Sequence, residues 1–240
     1  MAFAHRFKDR AAAGIELARE LQRRYLQPPV IILGLPRGGV AVAFEVARLL
    51  QEPLDVLLVR KIGLPAQPEL AIGAIASGNI TVYEPPVGTA MPDLAATFDR
   101  LVALERREIA RRETIFRAGL APLELKGKTV VLVDDGIATG STMIAAIRSA
   151  RKAGAESIIA AAPVASSEAA ELIRSEADTI VILQTPAALF AIGQWYEQFE
   201  QLEDREVCDL LALSRKRPAP APDPTSLHDA RRATPTEVDR

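Results

Sequence analysis

Cysteine is almost missing: Cys208 stands alone in 240 residues, which excludes an internal disulfide and any multi-cysteine zinc site and suits a reducing compartment. The cytoplasm is the expected location. Histidine is nearly as scarce, and His5 and His228 both fall in the terminal segments, so neither a histidine-centred triad nor a histidine metal site is expected. Long hydrophobic runs are absent too. Arg and Glu interrupt the first 27 residues, and no later window offers about 18 uncharged apolar residues, so neither a signal peptide nor a membrane span is predicted. Nor does one sign of charge dominate. With 29 basic and 31 acidic residues the net charge is −2, which lacks the basic footprint that nucleic-acid binding needs. Contact with a polyanion must be local.

What is present is an alternation of periods. Residues 8–25 place Ile15, Ala18, Leu21 and Tyr25 on one helical face opposite Arg and Glu, which predicts an amphipathic opening helix. Short apolar runs then follow at 30–33 (VIIL), 54–59 (LDVLLV), 129–133 (TVVLV), 157–162 (SIIAAA) and 178–183 (DTIVIL), with helical stretches at 40–50, 140–153 and 166–176. Runs of this kind, bounded by Gly and Pro, are strands buried on both faces, and the helices supply the crossovers of a parallel sheet. The predicted fold class is α/β, a parallel sheet flanked by helices. Two stretches break the alternation: LAIGAIASGNITVYE (70–84), read as paired strands, and a long charged helix near 92–117. One domain over 1–213 fits the length. From 214 to 240 the chain holds five of its 17 prolines and almost no apolar residues, which predicts a disordered tail.

The chemistry concentrates in VVLVDDGIATGST (130–142). Ligands of open α/β sheets lie beyond the carboxyl ends of the strands, where Asp134 and Asp135 are placed. Thr139, Gly140, Ser141 and Thr142 then open a helix, whose N–H groups, hydroxyls and positive dipole end make a phosphate cradle. Anion donors beside two carboxylates suit a sugar phosphate, with ribose hydroxyls and a divalent cation on the acids. An ordinary capped strand-to-helix turn is the plainer alternative. The arrangement Asp-Asp-x-x-x-Thr-Gly-[Ser/Thr]-[Ser/Thr] has a chance on the order of 10⁻⁷ per window.

A second strand-to-helix loop, Gly34-Leu35-Pro36-Arg37-Gly38-Gly39, brings close-approach glycines and the permanent donor fork of Arg37, a fit for diphosphate. Arg60 and Lys61, ending the next strand, are a further cationic pair or a solvated strand end. On the long helix, Glu108–Arg112 and Glu113–Arg117 are spaced as i,i+4 pairs, and Leu94, Phe98, Leu101 and Ile109 form a packing stripe. That helix reads as a solvated face, with a lid carrying one or two of its arginines as the other reading. LFAIGQWYEQF (189–199) gathers Phe190, Trp195, Tyr196 and Phe199, either a wall for a planar acceptor or a small core.

VVLVDDGIATGST resembles the phosphoribosyl-diphosphate (PRPP) binding motif of the type I phosphoribosyltransferases. GLPRGG, PELAIGAI and GQWYEQF resemble a group of bacterial phosphoribosyltransferase homologues of unestablished acceptor. The resemblance implies that family's fold with a small hood region. Asp134 and Asp135 would hold the ribose hydroxyls and, directly or through water, Mg²⁺; Gly136, Ile137, Ala138, Thr139, Gly140, Ser141 and Thr142 would wrap the 5′-phosphate. Pro36, Arg37, Gly38 and Gly39 would bind diphosphate, in a loop that in this fold often holds a cis non-proline peptide. Arg37 and Lys61 would stabilise the departing diphosphate, and Trp195 and Tyr196 would line the acceptor pocket. Members of the hypoxanthine-guanine type carry an acidic general base where this chain has Ala138; the adenine type has Ala there. The implied activity is transfer of the phosphoribosyl group of PRPP to a nitrogen nucleophile such as a nucleobase, with Mg²⁺. The alternative is a PRPP-binding regulator without turnover. A PRPP-forming diphosphokinase lacks a recognisable ATP loop here. The implied partners are PRPP and a small acceptor, with neither nucleic acid nor membrane, and a homodimer is compatible.

Overall fold

The computed structural model describes residues 6–24, 26–64, 67–84 and 93–216, with side chains at 67–70 excepted. Helix α1 (Arg10–Gln22) starts where the Asp9 carboxylate accepts the Ala12 N–H at 2.7 Å. Strand β1 (Val30–Gly34), α2 (Gly38–Leu50) and β2 (Leu54–Val56) follow, then β3 (Val59–Leu64), β4 (Gln67–Ala76), β5 (Ile80–Tyr83) and α3 (Leu94–Phe116). The second half alternates β6 (Thr129–Val133), α4 (Ser141–Lys152), β7 (Ser157–Val164), α5 (Ser167–Arg174) and β8 (Thr179–Gln184), and ends in α6 (Asp204–Arg215).

Five strands form a parallel sheet in the order β2-β1-β6-β7-β8. The uninterrupted apolar runs are explained by burial on both sides. Val30, Ile32, Val131, Val133, Ile159 and Val181 point into one core, shared with α1, α2, α3 and α6. Their neighbours Ile31, Leu33, Val130, Leu132 and Ile158 point into the other, under α4 and α5. The expected α/β class therefore holds. Strands β3, β4 and β5 make a separate antiparallel sheet, the paired strands read from 70–84 with one more added, and this is the small region appended to the main sheet.

Several expectations are corrected. The run 54–59 is two strands in two sheets. Leu57 packs into one core and Leu58 into the other, and Leu58 N–H donates to Ser77 Oγ at 3.1 Å, which turns the chain out of the parallel sheet before β3 begins. On α1 the buried face is Ala13, Gly14, Leu17, Ala18 and Leu21, with Ile15 only half-buried and Tyr25 outside the described residues. The small residues win because α1 lies tight on α2: a Cβ on Gly14 would meet Val42 O at 2.7 Å. On α3, Phe98 and Ile109 are buried with Val102 and Phe116, and Leu94 and Leu101 pack at the margin. Glu108 accepts from Arg112 at 2.8 Å as expected, but Arg117 leaves Glu113 for a bidentate pair with Asp55 of β2, 3.0 Å on both arms. Helix α6, which its apolar spacing alone did not announce, buries Val207 and Leu211 and runs to Arg215, past the boundary drawn at 213. Residues 217–240 of the expected tail lie outside the described residues. Among the described residues no helix is long and apolar enough to cross a membrane.

Candidate active site

The two loops singled out in the sequence leave adjacent strands. Gly34 at the end of β1 is the register partner of Val133 at the end of β6, so both chains emerge side by side at the carboxyl end of the sheet. Leu35 N–H donates to Val133 O at 2.9 Å and stitches the exits together. Between Pro36 and Arg37 the peptide bond is cis, as the resemblance implied.

The glycines that follow have a steric explanation. A Cβ on Gly38 would stand 1.8 Å from Asp135 Oδ2, and one on Gly39 2.6 Å from Val133 O. The loop backbone thus lies directly against the acidic pair, and only glycine leaves room for the carboxylate. Arg37 occupies the position just before α2 without a side-chain capping bond, its Nη1 4.0 Å from Asp204 Oδ1 in an exposed pair.

The two acids differ in surroundings. Asp134 Oδ1 accepts the Asp135 N–H at 2.9 Å. Asp134 keeps some surface open to solvent, yet enough protein encloses it that burial pushes its carboxyl well above the usual range, with the neighbouring Asp135 charge adding to the effect. Asp135 has a cation instead: Arg10 Nε donates to its Oδ2 at 2.7 Å, with side-chain exposures of 12% and 16%.

Downstream, the loop is pinned to the end of β7. Ile137 N–H donates to Val164 O and Ser166 N–H to Ile137 O, both at 2.9 Å, and Ser166 Oγ donates to Ala138 O at 2.7 Å. Gly136 packs under Ile192, whose Cγ2 would lie 2.3 Å from an added Cβ. Gly140 has φ +79°, the left-handed conformation that lets the chain turn into α4 at Ser141. Ala138, Thr139 and Thr142 are exposed around that turn, and Thr139 Oγ1 donates to Ser141 Oγ at 3.3 Å.

The structure thus brings together Pro36, Arg37, Gly38, Gly39 and the whole of 134–142. Lys61 lies in the middle of β3 opposite Ala74 rather than at the end of a parallel strand. Its neighbour Arg60 is engaged with Glu105 of α3, Nε to Oε2 at 2.6 Å. Tyr196 is 1% exposed, its ring stacked on Phe199 with centroids 4.8 Å apart and tilted against Phe7 at 5.6 Å. Its hydroxyl donates to Asp135 O at 2.5 Å, and burial pushes the phenol pKa well up. Trp195 packs half-buried at the edge of the same cluster, while Phe190 is 87% exposed. Trp195, Tyr196 and Phe199 form a small core with Phe7 behind Asp135, and Phe190 stands outside it.

Sequence reasoning missed Arg10. It stands in FKDRAAAG as one of many helix arginines, and nothing local marks a partner 125 positions away. Ser166 was missed likewise; its N-cap role on α5, accepting the Ala169 N–H at 3.0 Å, was the one available signal.

Comparison with known proteins identifies the family. Residues 5–197 match the family model of the phosphoribosyl transferase domain. A Mycobacterium tuberculosis protein named provisionally as a phosphoribosyl transferase is 45% identical over 205 residues, 85% of this chain. The match takes in 46% of that relative, so the chain spans about half the length of the curated relatives it matches. The crystal structure of the Thermus thermophilus protein TT1426 superposes with a TM-score of 0.78 at 40% identity, covering 86% of this chain and 97% of that one. The chain belongs to the phosphoribosyl transferase domain family.

Proposed function

We propose that the protein transfers the 5-phosphoribosyl group of PRPP to a nitrogen nucleophile, a nucleobase or related heterocycle, with release of diphosphate. The observation that supports this reading is the closeness of Gly38 and Gly39 to Asp135 and Asp134, which puts the glycine loop directly beside the acidic pair. Family membership supports the use of PRPP.

In the reaction the nucleophile's lone pair forms a bond to C1 of the ribose as the C1–O bond to diphosphate breaks. The electron pair leaves with diphosphate, and the proton of the attacking nitrogen passes to solvent or a base. Positive charge grows on the ribose ring, so fixed negative groups stabilise the transition state more than the ground state. Asp134 and Asp135 supply them. The 5′-phosphate binds at 136–142, to the N–H groups opening α4 and the hydroxyls of Thr139, Ser141 and Thr142. Arg37 turns from Asp204 to the diphosphate; the exposed pair it leaves contributes only about 0–1 kcal/mol. Lys61 serves as the second cation for the leaving group, and the exposed ring of Phe190, two residues before the Ile192 that abuts Gly136, offers a face to a planar acceptor.

Asp134 and Asp135 would offer oxygen ligands to a hard divalent cation, and Mg²⁺, which keeps water and takes few protein ligands, fits such a pair. When bound, Mg²⁺ supplies neutralisation of diphosphate charge. Cys208, half-buried and without a second cysteine, is consistent with a cytoplasmic setting.

A panel of nucleobases and related heterocycles with PRPP and Mg²⁺, followed by diphosphate release, tests the reading. Release that depends on one acceptor and on Asp135 supports it. PRPP binding with no release across the panel would favour a PRPP-binding regulator, and no thermal shift with millimolar PRPP would remove both.

A further inference from the structure

Arg10 contacts three groups at once. Its Nε donates to Asp135 Oδ2 at 2.7 Å, its Nη1 to Glu200 O at 2.8 Å, and its guanidinium lies 3.8 Å over the centre of the Phe199 ring. Arg10 lies near the start of the described chain, and all three partners lie far along it. The segment carrying Arg10 is laced to the segment carrying Phe199 by backbone hydrogen bonds from Phe7 N–H to Trp195 O and from Glu197 N–H to Phe7 O, each 2.8 Å, and from Gln198 N–H to Lys8 O at 3.0 Å. Phe199 stacks on Tyr196, whose hydroxyl holds the carbonyl of Asp135 itself. Side chain and main chain of one acid are thus gripped by one unit.

From this we infer that Arg10 is a positioning residue for the sugar-phosphate site: with Phe199 and the Glu200 carbonyl fixing its guanidinium, it holds Asp135 Oδ2 and leaves Oδ1 turned to the ligand. Two observations favour this over a brace that merely joins the chain ends. The lacing already joins them without Arg10, through the three backbone bonds. The carboxylate that Arg10 holds is also the one filling the Cβ position of Gly38, where Arg10 Nε itself would lie 3.0 Å from an added Cβ. An Asp135 side chain that swung by one rotamer would press on the diphosphate loop or lose the ribose. A planar fork resting on an aromatic ring resists that swing in a way an ammonium on a flexible stem does not.

The inference rests on the proposed ribose phosphate site. It is tested by calorimetry of ribose 5-phosphate binding to the full chain, in EDTA and again with Mg²⁺, beside the melting temperature of each ligand-free protein. Arg10→Ala should weaken binding tenfold or more, since a charge-assisted hydrogen bond at Asp135 is lost. Arg10→Lys should fall between Ala and wild type, and Phe199→Leu should weaken binding by a smaller factor while keeping the ion pair. Millimolar methylguanidinium should restore part of the affinity of Arg10→Ala, which a fold brace would not produce. Wild-type affinity in Arg10→Ala, or an affinity loss that methylguanidinium leaves untouched, overturns the positioning role. Should Arg10→Ala fail to fold, Arg10→Lys and Phe199→Leu decide: unchanged affinity in both overturns it. A wild-type protein that does not bind ribose 5-phosphate refutes the site reading itself, and the role of Arg10 falls with it; binding by wild type with normal binding by the variants refutes the role alone.

Discussion

The loop at 36–39 and the loop at 134–142 leave neighbouring strands at the same end of the sheet, and both open a helix, yet their glycines answer different demands. At Gly38 and Gly39 the backbone has no room, because the second loop occupies the space a side chain would take. At Gly140 the surroundings are roomy, with no atom closer than 3.5 Å to an added Cβ, and the constraint is the left-handed φ of +79°. Gly38 and Gly39 are therefore constrained by the neighbouring loop and Gly140 by its own turn, while Gly136, in the same loop as Gly140, is crowded by Ile192. Sites built from two loops in contact respond to substitution through ligand binding, whereas a turn responds through local backbone cost.

The largest effect should come from filling the contact. In Gly39→Ala the new methyl meets Val133 O at 2.6 Å and Asp134 Cα at 2.9 Å, backbone atoms that move only with β6. Overpacking of this kind costs about 1–3 kcal/mol, so the melting temperature should fall by several degrees along with PRPP binding. Gly38→Ala meets a carboxylate that can rotate. Stability should fall less, and affinity for ribose 5-phosphate should fall on the order of a hundredfold, two charge-assisted hydrogen bonds' worth. Near-wild-type affinity in Gly38→Ala would mean that the place of the Asp135 carboxylate does not matter.

Next in size is Asp135→Asn, which keeps the shape and removes the charge. PRPP affinity or turnover should drop about ten- to a hundredfold. Stability should drop too, because Arg10 is left with 12% exposure and a neutral partner. Gly140→Ala tests the other loop: the left-handed conformation costs a residue with a Cβ about 1–2 kcal/mol, with binding much less affected than in Gly38→Ala. Equal losses of affinity in the two glycine variants would erase the distinction between the loops.

The same distinction explains what could be read from sequence. The five parallel strands were legible because burial on both faces demands continuous apolar runs, and VVLVDDGIATGST stood out because its residues lie together in one strand-loop-helix unit. The split at Leu57–Leu58 was not, since a run that serves two sheets has the same composition as one that serves one. Arg10 was invisible because its meaning lies in Asp135, far along the chain, and the small-residue face of α1 was misjudged because Gly14 carries no hydrophobic signal while deciding how closely α2 can lie. Tyr196 was recognised as aromatic and near the site, but only the packing of Phe7 and Phe199 around it shows a ring that supports Asp135.

The smallest predicted effect has the opposite sign, and it separates the two adjacent acids. Burial and, next, the Asp135 charge raise the folded-state pKa of Asp134 above the value of about 3.9 expected when unfolded, outweighing the lowering by Arg10, which is ion-paired to Asp135. A carboxyl raised in this way favours the folded state fully below the unfolded pKa, where both states hold the proton. That advantage fades as pH rises through the raised folded pKa, because the unfolded chain has by then released its proton and the folded one must keep it or ionise at a cost. Asparagine has no proton to release, and its side-chain oxygen can still accept the Asp135 N–H. Ligand-free Asp134→Asn in EDTA should therefore melt above wild type at neutral pH, with the gap closing as pH falls toward 4, while Asp135→Asn melts below wild type. An Asp134→Asn variant that melts below wild type across the whole range would show that its carboxylate anchors the fold, and would make the two acids alike.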